Sequence, residues 1–392
     1  MDRRAFLRAS AVLAGGALIG GSTSRTAYAS PAPGPGPYGP IASTANTDGL
    51  RLPTGFRSRL IAVSGELVGG TSYRWHQLPD GGACAARPEG GWAYLSNGER
   101  DGGLGGAGAI AFDASGTIVD AYSVLSRTTR SCSGGMTPWG TYLSGEEHPT
   151  GHVFECDPLR AGQGVLRPLL GTFPHEMIAV DPFTGHVYMV EDHASGRLYR
   201  FVPTRRGDLT AGTLFVATVT RGKVTWAPTS ATAPNRTAGT TVFNGGEGAW
   251  IMRGALYITT KSDVKVYRLD LAGQQLSVIY DHAAVPAATL DAVDNLVGHD
   301  PSGDLFVAED GGNMEIGLLT TVGPAVVTRF ARFSGHDLSE VTGLAFSPDN
   351  SRLYVTSQRG TDGATGRTYE ISGPFRTQVR GRPTTPRPRS TP

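Results

Sequence analysis

This sequence has little charge and no strong imbalance of it. Of its 392 residues, 18% are charged, and the formal net charge is +1. That balance offers no basic stripe for nucleic acid and no patch for a membrane surface. Cysteine is scarce. The three present are Cys84, Cys132 and Cys156. An odd number allows at most one bridge in an oxidising compartment and leaves a thiol over. Cys132 is read as the one left over, because it alone stands among candidate ligands. The nine histidines are scattered, with no H-x-E-x-x-H-like spacing, which argues against a zinc hydrolase. No G-x-S-x-G turn is present, and Ser133-Gly134-Gly135 lacks the pattern, so a serine nucleophile of that type is excluded. No long helical stripe competes with strand patterning. The apolar run from Ala9 to Gly21 is too short for a comfortable membrane span, so no stable anchor is expected.

What is present begins with an address. Asp2-Arg3-Arg4-Ala5-Phe6-Leu7-Arg8 is a twin-arginine pattern, and Ala27-Tyr28-Ala29 is an A-x-A cleavage site. Residues 1–29 are therefore read as a signal peptide, and the protein as secreted or held in the cell envelope. The twin-arginine route carries folded proteins, which suits a chain that takes up a cofactor before export. Residues 30–48 are rich in Pro and Gly and read as a linker. Residues 380–392 alternate Arg, Pro and Thr and read as a disordered tail.

Residues 49–379 repeat one phrase. An apolar strand is followed by a turn with Asp, Pro or Gly, and then by a second apolar strand that ends in polar residues. Ile178–Val190 ends in Glu191-Asp192, and Leu296–Ala308 in Glu309-Asp310. Leu344–Ser357 ends in Gln358-Arg359, and Trp250–Thr260 in Lys261. A degenerate copy in Ala83–Ser96 ends in Asn97-Gly98-Glu99. A sixth copy follows Cys132 through Trp139, Tyr142 and Leu143 to Glu146-Glu147. In that copy Gly134 and Gly135 are expected to allow positive φ, and Trp139 to lie in the buried strand. A spacing of about 45–50 residues is the period of a propeller blade. The expected fold is all-β, a six-bladed β-propeller.

A second series stands just before each first strand: Asp80, Cys132, Glu176, Glu247, Asp294-Asn295 and Glu340. In a propeller both series ring one mouth of the central channel. Carboxylates crowded there repel one another unless cations or protons compensate. Many oxygen donors with few histidines favour hard cations such as Ca²⁺. One thiolate adds a preference for a transition metal.

Cys-x-x-G-x-Thr-Pro-Trp-Gly-Thr-Tyr-Leu-x-x-Glu-Glu, from Cys132, resembles the signature of the PhoX-type alkaline phosphatases. So do Phe173-Pro174-His175-Glu176, Val190-Glu191-Asp192, Gly246-Glu247-Gly248, Val293-Asp294-Asn295 and Ala308-Glu309-Asp310. The resemblance implies a six-bladed propeller with an Fe³⁺ pair, a thiolate ligand, several Ca²⁺ ions and a bridging oxygen. It also implies hydrolysis of small phosphomonoesters outside the cytoplasm. The chain is expected to be a monomer. By motif match Cys132, Glu176 and Glu247 would ligate iron. Glu99, Glu147, Asp192, Asp294 and Glu309 would complete the calcium sites. Two departures stand out. The phosphatases place an Arg where this chain has Gly245, and Asn-His-Glu becomes Asn97-Gly98-Glu99. Lys261 and Arg359 are the candidates for the missing positive charge, steadying the transferring phosphoryl group. Two rival readings are a calcium-dependent lactonase-like hydrolase and a non-catalytic propeller that keeps metal for folding.

Overall fold

A computed structural model describes residues 32–377, apart from 233, 235, 237, 238, 286–288 and 324. The expected signal peptide and the basic tail lie outside the described residues. Short β-rich segments separated by Gly-, Asp- and Pro-bearing turns form five sheets, nearly all antiparallel. Pro79–Ala86, Trp92–Gly98, Gly105–Phe112 and Ile118–Thr128 make one four-stranded sheet, and Ser131–Met136 opens the next. The last three strands, Val341–Phe346, Arg352–Ser357 and Arg367–Ser372, are completed by the early strand Arg57–Val63. One sheet therefore joins the two ends of the folded body.

The first strands form a closed ring. Pro79–Ala86 touches Ser131–Met136, and contact continues through His175–Val180, Gly246–Met252, Val293–His299 and Val341–Phe346 back to the start. The fold is an all-β, propeller-like one. Where six blades were expected there are five sheets. The difference lies in a nine-stranded sheet whose two antiparallel runs are joined into one ladder where Lys223 faces Gln275.

The core lies between neighbouring sheets. Leu143 and Val153 pack against Ile178, Met189 and Phe201 from the next sheet, all fully or nearly fully buried. Burying a side chain of this size contributes roughly 1.5–3 kcal/mol, and such clusters recur around the ring. The segment read as a linker is part of the body. Ala32–Pro33 pair in parallel with Val326–Val327, and the Tyr38 ring meets Phe56 at 5.2 Å and Phe330 at 5.7 Å, edge-on. Edge-to-face aromatic pairs of this kind contribute about 0.5–1.5 kcal/mol each beyond the area they bury.

Two local expectations near Cys132 are corrected. Gly134 and Gly135 lie within a strand and not in a turn. A Cβ on Gly135 would sit 2.0 Å from the Ile178 carbonyl oxygen, so glycine here permits close approach of two inner strands. The turn is formed by Thr137–Gly140, with Gly140 at φ 89°. Trp139 belongs to that turn, and its Nε1 donates to Glu155 Oε1 at 2.8 Å. Among the described residues no helix is long and apolar enough to cross a membrane.

Candidate metal centre

A repeated register builds the site. Six first-strand residues face six second-strand residues: Pro79 and Gly98, Ser131 and Glu146, His175 and Glu191, Gly246 and Thr260, Val293 and Glu309, Val341 and Ser357. The next residue on each first strand is Asp80, Cys132, Glu176, Glu247, Asp294 or Thr342. The next on each second strand is Glu99, Glu147, Asp192, Lys261, Asp310 or Gln358. Immediately afterwards five of these pairs show the same one-residue register shift, as between Ser131 and Gly134, and the sixth shows it one residue later, after Thr342 and Thr356. Such bulges bend a strand and re-aim its side chains. Here they accompany two rings of polar groups at one end of the channel.

These groups line a cavity of about 240 Å³. It holds Cys132, Glu99, Glu147, Glu176, Asp192, Glu247 and Asp294, together with Lys261 and Arg359, from the sequence reading. Asp80, Asp310, Glu340 and Arg130 line it too. Glu309 is not brought to this cavity. It is fully buried, and its two oxygens accept the Asp291 N–H at 2.8 Å and the Glu315 N–H at 3.0 Å. Successive strand residues point to opposite faces, so Asp310 is the neighbour that turns inward. Glu146 behaves like Glu309, accepting the backbone N–H of Thr129 at 2.7 Å and of His152 at 3.2 Å, while Glu147 lines the cavity. Glu340 enters from one residue before the last inner strand. The ring position there is Thr342, whose hydroxyl lies 2.6 Å from Asp80 Oδ1. Arg130 had no signal in the repeat, since it comes from a connecting loop and not from a strand end.

Nine carboxylates face three cations around the cavity, a formal charge of −6 when all are ionised. Burial, with Glu99 adding to it, pushes Asp80 up to about 7. Burial and Glu99 push Glu147 up to about 9. Burial also holds Glu176, Glu247 and Asp294 well above the carboxylate range, with Glu247 adding to the first and third and Asp192 to the second. Burial raises the Cys132 thiol, and Asp80 raises it further. Its Sγ lies 3.3 Å from Asp80 Oδ2. Burial opposes the charge of Lys261, yet Glu247 at 2.8 Å and Asp192 at 3.0 Å keep its ammonium strongly protonated. Arg359 pairs with Glu340 at 2.9 Å.

Three groups bring ligand atoms within 4.8 Å of one another: Asp80, Glu99 and Cys132; Cys132, Glu147 and Glu176; Glu176, Glu247 and Asp294. Adjacent groups share Cys132 or Glu176, as bridging ligands would. The donor set fits cations. Each group gathers anions that repel one another until positive charge enters, and the only soft donor lies between two of them.

Gly245 stands beside this site at φ 66°, and a Cβ there would lie 2.8 Å from Ser262 Oγ. An Arg at this position would be strained, so the side chain expected there from the resemblance does not fit this backbone without cost. All three cysteines are free thiols, so Cys84 and Cys156 do not bridge.

Residues 147–266 match the family described as alkaline phosphatase PhoX. That stretch carries Glu147, Glu176, Asp192, Glu247 and Lys261, all at the cavity. The family resemblance read from the sequence motifs is borne out. Among curated proteins none matches the chain. The fold is similar to that of Pseudomonas fluorescens PhoX, solved with vanadate, a transition-state analogue. That match has a TM-score of 0.70 at 17% identity and covers 85% of this chain and 97% of that one. A gluconolactonase of Xanthomonas campestris is also similar, with a TM-score of 0.52 at 12% identity, covering 86% of this chain and 98% of that one.

Proposed function

We propose that this chain is an exported, monomeric, metal-dependent phosphatase that hydrolyses small phosphomonoesters in the acidic mouth. In this reading the nine-stranded sheet counts as two blades, six in all, and the centre holds an Fe³⁺ pair and several Ca²⁺ ions. One observation carries the reading: three anionic groups chained through a shared thiol and a shared glutamate, in a PhoX-like fold.

Asp80, Glu99, Cys132, Glu147, Glu176, Glu247 and Asp294 would hold the cations, with Asp310 a further ligand from the cavity lining, and the thiol is why iron is expected beside calcium. When bound, these cations supply Lewis-acid charge that offsets the phosphate oxygens. The protein's own residues do the rest. Gln358 Nε2 donates to Asp80 at 2.6 Å and to Glu99 at 3.0 Å, which orients both carboxylates. Lys261 holds Glu247 and Asp192, and Arg359 holds Glu340, so positive charge is positioned at the rim before substrate arrives.

Elemental analysis of natively exported protein, with turnover of p-nitrophenyl phosphate, tests the proposal. Iron, calcium and phosphatase activity are expected together. A fully loaded protein that leaves phosphomonoesters intact would remove the reading. The lactonase alternative draws on the gluconolactonase-like fold, but that chemistry has no need of Cys132. Lactone hydrolysis by iron-free protein would favour it, and bound metal without any turnover would favour a non-catalytic propeller.

A further inference from the structure

This inference rests on the phosphatase reading and deepens it. We propose that Arg130 receives the phosphoryl group of the substrate, its guanidinium released when cations occupy the carboxylates that now hold it. Arg130 Nε donates to Glu99 Oε1 at 3.1 Å, and Nη2 donates to Glu147 Oε2 at 2.9 Å. Those two glutamates belong to the two anionic groups that share Cys132. Both ionic partners of Arg130 are therefore candidate cation ligands. The other two cations differ. Arg359 is paired with Glu340, and Lys261, although its 2.8 Å partner Glu247 belongs to the third group, also keeps Asp192 at 3.0 Å; neither Glu340 nor Asp192 belongs to any of the three groups. Filling the groups would leave Arg359 and Lys261 engaged and set Arg130 free, beside the thiol that links two groups.

The backbone points the same way. Arg130 sits at φ 51°, a conformation that a glycine adopts at less cost than an arginine. It is clamped there from both sides: its N–H donates to the Arg100 carbonyl at 2.8 Å, and its carbonyl accepts the Glu147 N–H at 2.7 Å. Strained residues of this kind persist where the surroundings over-determine them, and they cluster at functional sites. A planar guanidinium fork offers two parallel donors to a tetrahedral oxyanion, which an ammonium cannot do.

The test uses metal-loaded protein and orthophosphate as the probe. Arg130→Gly keeps the backbone path, and Arg130→Lys keeps the charge without the fork. The readouts are orthophosphate affinity from ligand-dependent thermal shifts, the KM and kcat for p-nitrophenyl phosphate, and metal content. Arg130→Gly is expected to retain metal and fold while binding orthophosphate about 10- to 100-fold more weakly, with KM raised in step. Arg130→Lys should fall between it and the wild type. Unchanged orthophosphate affinity in Arg130→Gly would overturn the inference. So would loss of bound metal from that variant, since Arg130 would then be a structural counter-ion. A loaded wild type that neither binds orthophosphate nor turns over the ester would instead overturn the phosphatase reading, and this inference with it.

Discussion

Moving to Asp310 the role that the sequence assigns to Glu309 gives a sharp test of the register. Glu309→Ala strands two backbone N–H groups, those of Asp291 and Glu315, which now donate at 2.8 and 3.0 Å in a fully buried setting. Each lost hydrogen bond removes about 1 kcal/mol, and each desolvated donor adds about 1 kcal/mol or more. The expected destabilisation is therefore about 3–4 kcal/mol. Glu309→Gln keeps the shape and one acceptor oxygen, so about half of that is expected. Asp310→Ala should behave in the opposite way. Its carboxylate is 39% exposed and lies 4.0 Å from Lys261, so stability should change by no more than about 0.5 kcal/mol, while calcium content and turnover fall. Urea unfolding at fixed calcium, paired with elemental analysis of the folded proteins, separates the two. If Glu309→Ala unfolds like the wild type but loses metal, or Asp310→Ala unfolds early with metal intact, the register argument is wrong.

Three further outcomes are expected. Cys132→Ser should lose the visible ferric-thiolate charge-transfer band and most activity while keeping its β-rich circular dichroism; a colourless, iron-free and fully active wild type would refute this. Chelation should lower the thermal midpoint, because the acidic cavity loses its counter-charge, and about 1 M NaCl should restore part of the loss by screening; a midpoint indifferent to both would argue against cation binding. Burial holds His76 and His336 down to about 4, with Arg367 adding to the effect on His336. Their folded pKa values lie below the ordinary 6.5, so each contributes stability above about pH 6.5 that is lost as pH falls to about 4. Thermal melts should show His336→Asn to be flatter than the wild type across that window, and equal slopes would refute the assignment.

Much of the architecture is legible in the chain because a propeller is a local code repeated. Strand alternation, turn residues and a period near 45–50 residues depend on neighbours in sequence, so the inner strands and their polar ends can be read before any contact is known. Cys132 and the acids around Glu147, Glu176 and Glu247 stand out for that reason. Arg130 does not, because a loop outside the repeat places it, held by backbone bonds to Arg100 and Glu147. Glu309 misleads for a related reason. Two acids stand side by side, and only the strand's pairing with its neighbour decides which one turns into the cavity. The same holds for Gly245, whose φ of 66° goes with backbone bonds to His193 and Lys261 that the local sequence does not reveal. Tyr38, in a stretch composed like a linker, joins the aromatic cluster because the N-terminal segment folds back on the outer strand that begins near Val326. Composition and period determined the repeat and the kind of chemistry at its ends. Register, bulges and chain closure, which depend on contacts between distant residues, decided which side chains meet there.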